Sequence, residues 1–372
     1  MDLNKEDQHR LQCLLEDIEA KNRACLGYPS AKDFDFRLLA DFLHYPLNNV
    51  GDPFAEGTYR VSSREFEREV LQFMAEFLRA PEGNWWGYVN NGSTEGNLYG
   101  LYLARELYPR GIVYFSQDTH YSVSKNVHFL NLRHIMIRSQ SHGEIDYEDL
   151  QETLNIHRDV PAIVFANIGT TMKEAKDDVR RIREIVEDLA MVDCYIHSDA
   201  ALCGFIAPFV KPRAAFDFAD GADSVAVSGH KFIGSPIPSG IVLARKENVD
   251  RIARSVAYIG SMDTTITGSR NGLTPLMIWH TIRTMGLAGI RRRVHASIDM
   301  AAYVEQELKA VGVAAWRNPN AITVLFPKPS AEIRLKWQLA SSGELAHIIA
   351  MPGTEKDVLD NFISDIAAEQ GG

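Results

Sequence analysis

Basic charge, cysteine motifs and long apolar runs are what this sequence is short of, and each shortage removes a class of function. Lysine and arginine number 39 against 49 aspartate and glutamate, a formal net charge of −10. Neither nucleic acid nor an anionic membrane surface is therefore an expected partner. The one basic cluster, "GIRRRVH" at residues 289–295, reads as a solvated helix face. The cysteines Cys13, Cys25, Cys194 and Cys203 are few and lack CxxC spacing, so they read as buried free thiols and not as a metal or redox site. No apolar stretch approaches the length that crosses a bilayer, and "MDLNKEDQHRLQ" at the N-terminus lacks an apolar signal segment. A cytoplasmic location is the expectation. Without repeats or low-complexity segments, solenoids and disordered linkers also drop out.

What is present is an ordinary globular composition, 45% hydrophobic over 372 residues, enough for a large domain and a smaller one. Short β-rich runs occupy residues 111–116, 162–167, 194–198, 224–228 and 240–245 ("GIVYFS", "AIVFAN", "CYIHS", "SVAVS", "GIVLAR"). Between them lie stretches that can be helical. In "DDVRRIREIVEDLA", Val179, Ile182, Ile185, Val186 and Leu189 recur at helical spacing. Continuous apolar strands alternating with helices predict an α/β fold with a mostly parallel sheet covered on both faces. A long helix from about Pro275 to Val311, then "AITVLFP" and a terminal helix, predict a smaller C-terminal α+β domain. The expected boundaries are an N-terminal helical segment at 1–55, a large domain at 56–285 and a small one at 286–372.

Ligands of such sheets gather at the carboxyl ends of the strands, and the polar residues there are the ones to question. "VSGHKFIG" puts Lys231 behind a buried strand, where an unpaired amine is expensive. "CYIHSDAALCG" puts Asp199 at the end of another, followed by the small residues Ala200 and Ala201. A structural salt bridge is the bland reading of that carboxylate. "SQDTHYSVSK" sets His120 beyond a third strand, either as a hydrogen-bonded structural residue or as a flat wall for an aromatic ligand. "FANIGTT" ends a fourth in Thr170 and Thr171, for which turn chemistry is the plain alternative. "NNGSTEGN" opens a helix with Ser93 and Thr94, either a simple cap or an anion site. It is not a dinucleotide fingerprint and no P-loop lysine follows, so NAD and ATP lack support. A phosphate cradle, a buried carboxylate, a flat wall and an amine on one rim together suit pyridoxal 5'-phosphate.

In that order "NGSTEGN", "DTHYSVSK", "NIGTT", "HSDAAL" and "VSGHK" resemble the pyridoxal-phosphate-dependent group II amino-acid decarboxylases of fold type I, the aspartate aminotransferase-like fold. "GYPSAKDFDF", "GEIDYEDL", "FADGADSVAVSGHKFIGSPIPSGIV", "TITGSRNG" and "AWRNPNAITVLFP" extend the resemblance over nearly the whole chain, toward the bacterial histidine decarboxylase branch. The resemblance implies decarboxylation of an L-amino acid, with histidine to histamine and CO2 first and serine or another amino acid as the alternative. It implies that Lys231 bonds the cofactor's aldehyde, Asp199 pairs with the pyridine nitrogen, and His120 stacks on the ring next to the substrate. Ala201 would pack on the ring's other face. Ser93, Thr94, Ser228 and His230 match phosphate-holding positions, and Thr170 one near the phenolic oxygen. A homodimer or homotetramer, no nucleic acid, no membrane and no metal complete the expectation.

Overall fold

In the central region short apolar runs become strands and the amphipathic stretches between them become helices. The computed structural model describes residues 3–252, 254–256 and 261–371. It divides into two compact units, one from Phe34 to Val294 and one joining the chain up to Asp33 with the chain from His295 onward.

The larger unit holds seven strands: β1 (Trp86–Asn90), β2 (Ile112–Ser116), β3 (Arg133–Ile137), β4 (Ala162–Asn167), β5 (Cys194–Asp199), β6 (Ser224–Ser228) and β7 (Gly240–Ala244). Their order is β1-β7-β6-β5-β4-β2-β3. β7 pairs antiparallel with both β1 and β6, and the other neighbours pair in parallel. The sheet is thus mostly parallel, as predicted. β7 reverses because only residues 229–239, with Pro236 and Pro238 among them, join it to β6. That is too short for the helical crossover a parallel return requires.

β1 and β3 escaped the sequence reading. β3 is an edge strand with only Ile137 buried, and its apolar run is just the three residues 135–137. β1 is wholly buried, but its five residues run directly into the helix-opening motif that dominated that stretch.

After α1 (Lys5–Ala24), helices α2 (Arg64–Phe77), α3 (Ser93–Leu107), α4 (Ser122–Phe129), α5 (Tyr147–Ile156) and α6 (Val179–Asp188) follow in chain order. In α6, Asp178 caps the first turn by accepting from Arg181 N at 3.0 Å, and Val179, Ile182, Ile185 and Val186 are buried. The 3.6-residue period thus does what the sequence predicts. α3 lies against the sheet through two glycines. A Cβ on Gly96 would come within 2.9 Å of the Ala226 Cβ, and one on Gly100 would run into the His197 ring. Leu101, Leu103 and Ala104 of α3 join a core with Trp86, Tyr88, Tyr99, Phe115 and Phe165. The Tyr88 and Tyr99 rings meet edge to face at 5.2 Å, a geometry that adds about 0.5–1.5 kcal/mol to area burial.

α7 (Lys246–Asp250), the short antiparallel pair β8 (Arg254–Val256) and β9 (Ser261–Asp263), and α8 (Leu273–Ala310) follow. α8 matches the predicted long helix but breaks at Gly286, whose φ of 57° and ψ of 178° are not helical. In "GIRRRVH" Arg291 and Arg292 are exposed as expected. Arg293, however, donates to the Phe232 carbonyl at 3.2 Å, so the run is only partly a solvated face.

The smaller unit carries the antiparallel sheet β10-β12-β11, formed by β10 (Thr323–Pro327), β11 (Ala340–Ser342) and β12 (Leu345–Ile349), with α9 (Ala331–Lys336) and α10 (Lys356–Gly371). Val304, Leu308, Phe326, Trp337, Ile348, Leu359 and Phe362 form its core together with Leu26 from near the start of the chain. The Leu26 backbone takes part in the sheet region: its N–H donates to Trp337 O at 3.1 Å, and its carbonyl accepts from Ile349 N at 2.8 Å. Of the cysteines, all free, Cys203 is buried but Cys13 is exposed on α1, against the expectation of burial.

Candidate active site

The carboxyl ends of the parallel strands form one rim, and the residues singled out in the sequence lie along it. β1 leads into Gly92, Ser93 and Thr94; β2 into Asp118 and His120; β4 into Thr170. β5 ends in Asp199 itself, and β6 leads into His230 and Lys231. β7 begins on the same rim at Gly240, which is paired with both Asn90 and Ser228. This is the position at which α/β sheets bind ligands, because helix starts and free strand ends converge there.

Burial pushes the Lys231 amine down from its ordinary lysine value, with Asp199 and then the Cys203 thiol opposing the shift. Among the described residues that amine has no hydrogen-bond or ion-pair partner. Asp199 is buried and held on both oxygens: Oδ2 accepts from Asn97 Nδ2 at 2.8 Å, and Oδ1 accepts from the Ala201 backbone at 3.1 Å. The small residues after Asp199 therefore also supply a donor, since that loop turns the Ala201 N–H back onto the carboxylate.

His120 belongs to the same electrostatic neighbourhood. Burial lowers its pKa most, Asp199 opposes, and Lys231 and Lys125 lower it further, leaving the ring neutral near pH 7. Its Nδ1 lies 2.7 Å from Ser122 Oγ and accepts from Ser122 N at 3.3 Å. A backbone N–H can only donate, so the ring proton sits on Nε2.

The start of α3 forms the polar cradle. Gly92 occupies the cap at φ 134°, a backbone region that favours glycine, and no side chain caps the helix among the described residues. Ser93 Oγ and Ser228 Oγ are 2.7 Å apart, which brings together two of the expected phosphate ligands. A Cβ on Gly92 would lie 3.5 Å from His230 Cε1, so the His230 ring borders the same turn. His230 Nδ1 is 2.8 Å from the Ser239 carbonyl, and burial lowers its pKa. Two buried polar atoms flanking this turn, Asn90 Nδ2 and Ser239 Oγ, have no hydrogen-bond partner. Thr94 is exposed, and its carbonyl accepts from Asn126 Nδ2 at 3.0 Å. Thr170 is buried, with Oγ1 accepting from Ala175 N at 3.0 Å. That contact is the turn chemistry named as its plain alternative.

Two residues passed over in the sequence stand behind Asp199. Asn97 Oδ1 lies 2.9 Å from His197 Nε2, and His197 Nδ1 lies 2.7 Å from Ser224 Oγ. All three are fully buried. For His197 the signal is strand alternation: Tyr195, His197 and Asp199 are every second residue of β5 and share one face.

The donor set fits pyridoxal phosphate. A poorly solvated amine, an oriented carboxylate, a neutral flat ring and paired hydroxyls at an uncapped helix start match its aldehyde, ring nitrogen, π face and phosphate. Fold and site together define a pyridoxal-phosphate enzyme with its lysine at a strand end. The chain belongs to the pyridoxal-dependent decarboxylase family, whose conserved-domain model matches residues 28–315. It is a carboxy-lyase, with pyridoxal 5'-phosphate as its cofactor. It is 52% identical to the histidine decarboxylase of Mesorhizobium japonicum over 98% of this chain and 99% of the relative. Identity to that of Morganella morganii is 45%, over 99% and 98%. Among solved structures, L-methionine decarboxylase from Streptomyces sp.590 superposes with a TM-score of 0.91 at 27% identity, covering 99% of this chain and 95% of that one.

Proposed function

We propose that this chain converts L-histidine to histamine and CO2, using the rim around Lys231. The carrying observation for the chemistry is the desolvated Lys231 amine coupled to the Asp199 carboxylate. Similarity to histidine decarboxylases along nearly the full length supports the substrate.

When bound, pyridoxal phosphate supplies an aldehyde that condenses with amines and a ring that accepts the electron pair released as the Cα–carboxylate bond breaks. Lys231 offers the amine for attachment, and its lowered pKa keeps a larger fraction neutral and nucleophilic. Asp199 would hold a proton on the ring nitrogen, and its two N–H donors keep the carboxylate aimed. His120 and Ala201 would wall the two faces of the ring, with His120 bordering the substrate. Ser93, Thr94, Ser228 and His230 would bind the phosphate, with Thr170 near the phenolic oxygen. The Lys231 amine would also be the group that releases the product amine from the aldehyde.

The chain also works as a homo-oligomer in this reading. α1 supports that, because Leu11, Leu14, Leu15 and Ile18 form an apolar stripe that is more than half exposed. Sedimentation velocity distinguishes monomer, dimer and tetramer, and a fully active monomer overturns it.

The direct test of function is amine and CO2 release from histidine, serine and methionine with added pyridoxal phosphate. Histamine forming at the highest kcat/KM is the expected result. A higher kcat/KM for another amino acid overturns the substrate, and an oxo-acid-dependent reaction without CO2 overturns the reaction.

A further inference from the structure

We infer that His197 is a positioning residue for Asp199, acting through Asn97 as a link in a one-directional chain of hydrogen bonds. This rests on the reading that Asp199 pairs with the cofactor's ring nitrogen, and goes beyond it by assigning what keeps the carboxylate in place.

The direction follows from what each group can donate. An ionised carboxylate only accepts, so the Asn97 amide must present its NH2 to Asp199 Oδ2, at 2.8 Å. That leaves Asn97 Oδ1 as an acceptor, and His197 Nε2, 2.9 Å away, must carry the proton. A neutral ring protonated on Nε2 has a bare Nδ1, which accepts from Ser224 Oγ at 2.7 Å. The Ser224 hydroxyl, having spent its hydrogen, accepts from Tyr195 OH at 2.9 Å. Every link from Tyr195 to Asp199 is then satisfied in one sense only. Such chains polarise cooperatively inside a protein.

The fold builds the chain from alternation and register. Tyr195, His197 and Asp199 share one face of β5, and Ser224 of β6 is the cross-strand neighbour of His197. Asn97 descends from α3, which comes close enough only because position 100 is glycine: a Cβ there would strike the His197 ring. Burial alone pushes the imidazole down to about 3. The ring therefore stays neutral at physiological pH and holds its tautomer. A ring protonated on Nδ1 instead would leave Nε2 bare, turn the Asn97 amide and present a carbonyl oxygen to Asp199.

The test reads the cofactor's nitrogen directly. With 15N-labelled pyridoxal phosphate bound to the wild type, NMR should report a protonated ring nitrogen. His197→Leu should lose that signal in part or whole and lower kcat on the order of 10-fold to 100-fold, the usual range for removing an outer orienting partner. KM should change little. His197→Gln, whose amide N–H can still donate to Asn97 Oδ1, should restore the protonated signal. A folded His197→Leu protein with an unchanged nitrogen signal overturns the inference. If the wild type itself binds no labelled cofactor or shows an unprotonated nitrogen, the reading of Asp199 has failed instead. Should His197→Leu not fold, 15N-histidine NMR of the cofactor-free wild type decides. A neutral Nε2–H tautomer between pH 5 and 9 supports the chain, and an Nδ1–H tautomer or an imidazolium overturns it.

Discussion

Two buried charged groups in the larger unit are built in opposite ways. Glu67 and Arg270 are both essentially inaccessible and form an ion pair. Glu67 also accepts from Asn49 Nδ2 at 2.8 Å and Val89 N at 2.9 Å, while Arg270 donates to the Val89 and Gly51 carbonyls at 3.1 and 2.9 Å. These charges are matched almost bond for bond, which is how a protein holds ions in low dielectric. Lys231 is treated differently: its amine is desolvated and, among the described residues, has no hydrogen-bond or ion-pair partner. The contrast separates a charge that ties the chain together from an amine kept ready to react. A desolvated amine left unpaired marks function, whereas buried charges paired bond for bond mark architecture.

That contrast can be broken first at Lys231. Lys231→Ala should reduce decarboxylation by at least about 10³-fold, the scale on which loss of a covalent catalyst acts, and abolish the visible absorbance of lysine-bound cofactor. Its melting temperature should hardly fall. An intact absorbance band in that variant would reject Lys231 as the attachment point.

Glu67→Ala should do the reverse. It strands Arg270 in the interior at a cost of about 3–5 kcal/mol, measured by denaturant unfolding. The double variant Glu67→Leu with Arg270→Met should recover much of that. Equal losses for single and double variants would mean that the pair does not act as a unit.

The smallest effect, and the sharpest in sign, concerns pH. A lysine whose folded pKa is lowered leaves the unfolded chain binding more protons between the folded and unfolded values, so its destabilising contribution fades as pH rises toward the ordinary lysine range. In cofactor-free protein Lys231→Met should therefore raise the melting temperature by a few degrees at most near pH 7, with the gain shrinking toward pH 10. Asp220 has the opposite sign. Hydrogen bonds from Arg213 and Arg79 outweigh burial and hold its carboxyl well below the usual range. Its stabilising contribution is present above that range and is lost as pH falls through it. Thermal unfolding from pH 4 to 10 measures the lysine contribution and its extension from pH 4 down to about pH 2 the Asp220 one; a Lys231→Met gain that grows with pH would contradict the desolvation.

The rim was legible in the sequence residue by residue. Lys231, Asp199, His120, Ser93 and Ser228 are chemically conspicuous where they stand, each a polar residue at or just beyond the end of a strand. Asn97 and His197 were not conspicuous, for different reasons. His197 sits inside a strand that reads as buried whatever its residue, and Asn97 lies a turn into a helix, where polar residues are commonplace. Only the crossing of α3 over β5 makes them neighbours. Likewise β7 looked like one more strand of a parallel series, and its reversal lies in the brevity of residues 229–239, not in its own apolar residues.

By itself the sequence determined the alternation of strand and helix, the residues at the strand ends and so the class of chemistry, because these depend on local periodicity and side-chain type. Tertiary structure alone decided that Leu26 completes a core with Trp337 and Phe362, that Ser93 meets Ser228, and that a histidine and an asparagine stand behind Asp199. Those pairings join residues tens to hundreds of positions apart. Their energy comes from burial and directional hydrogen bonds formed once the sheet is assembled, which no local pattern encodes.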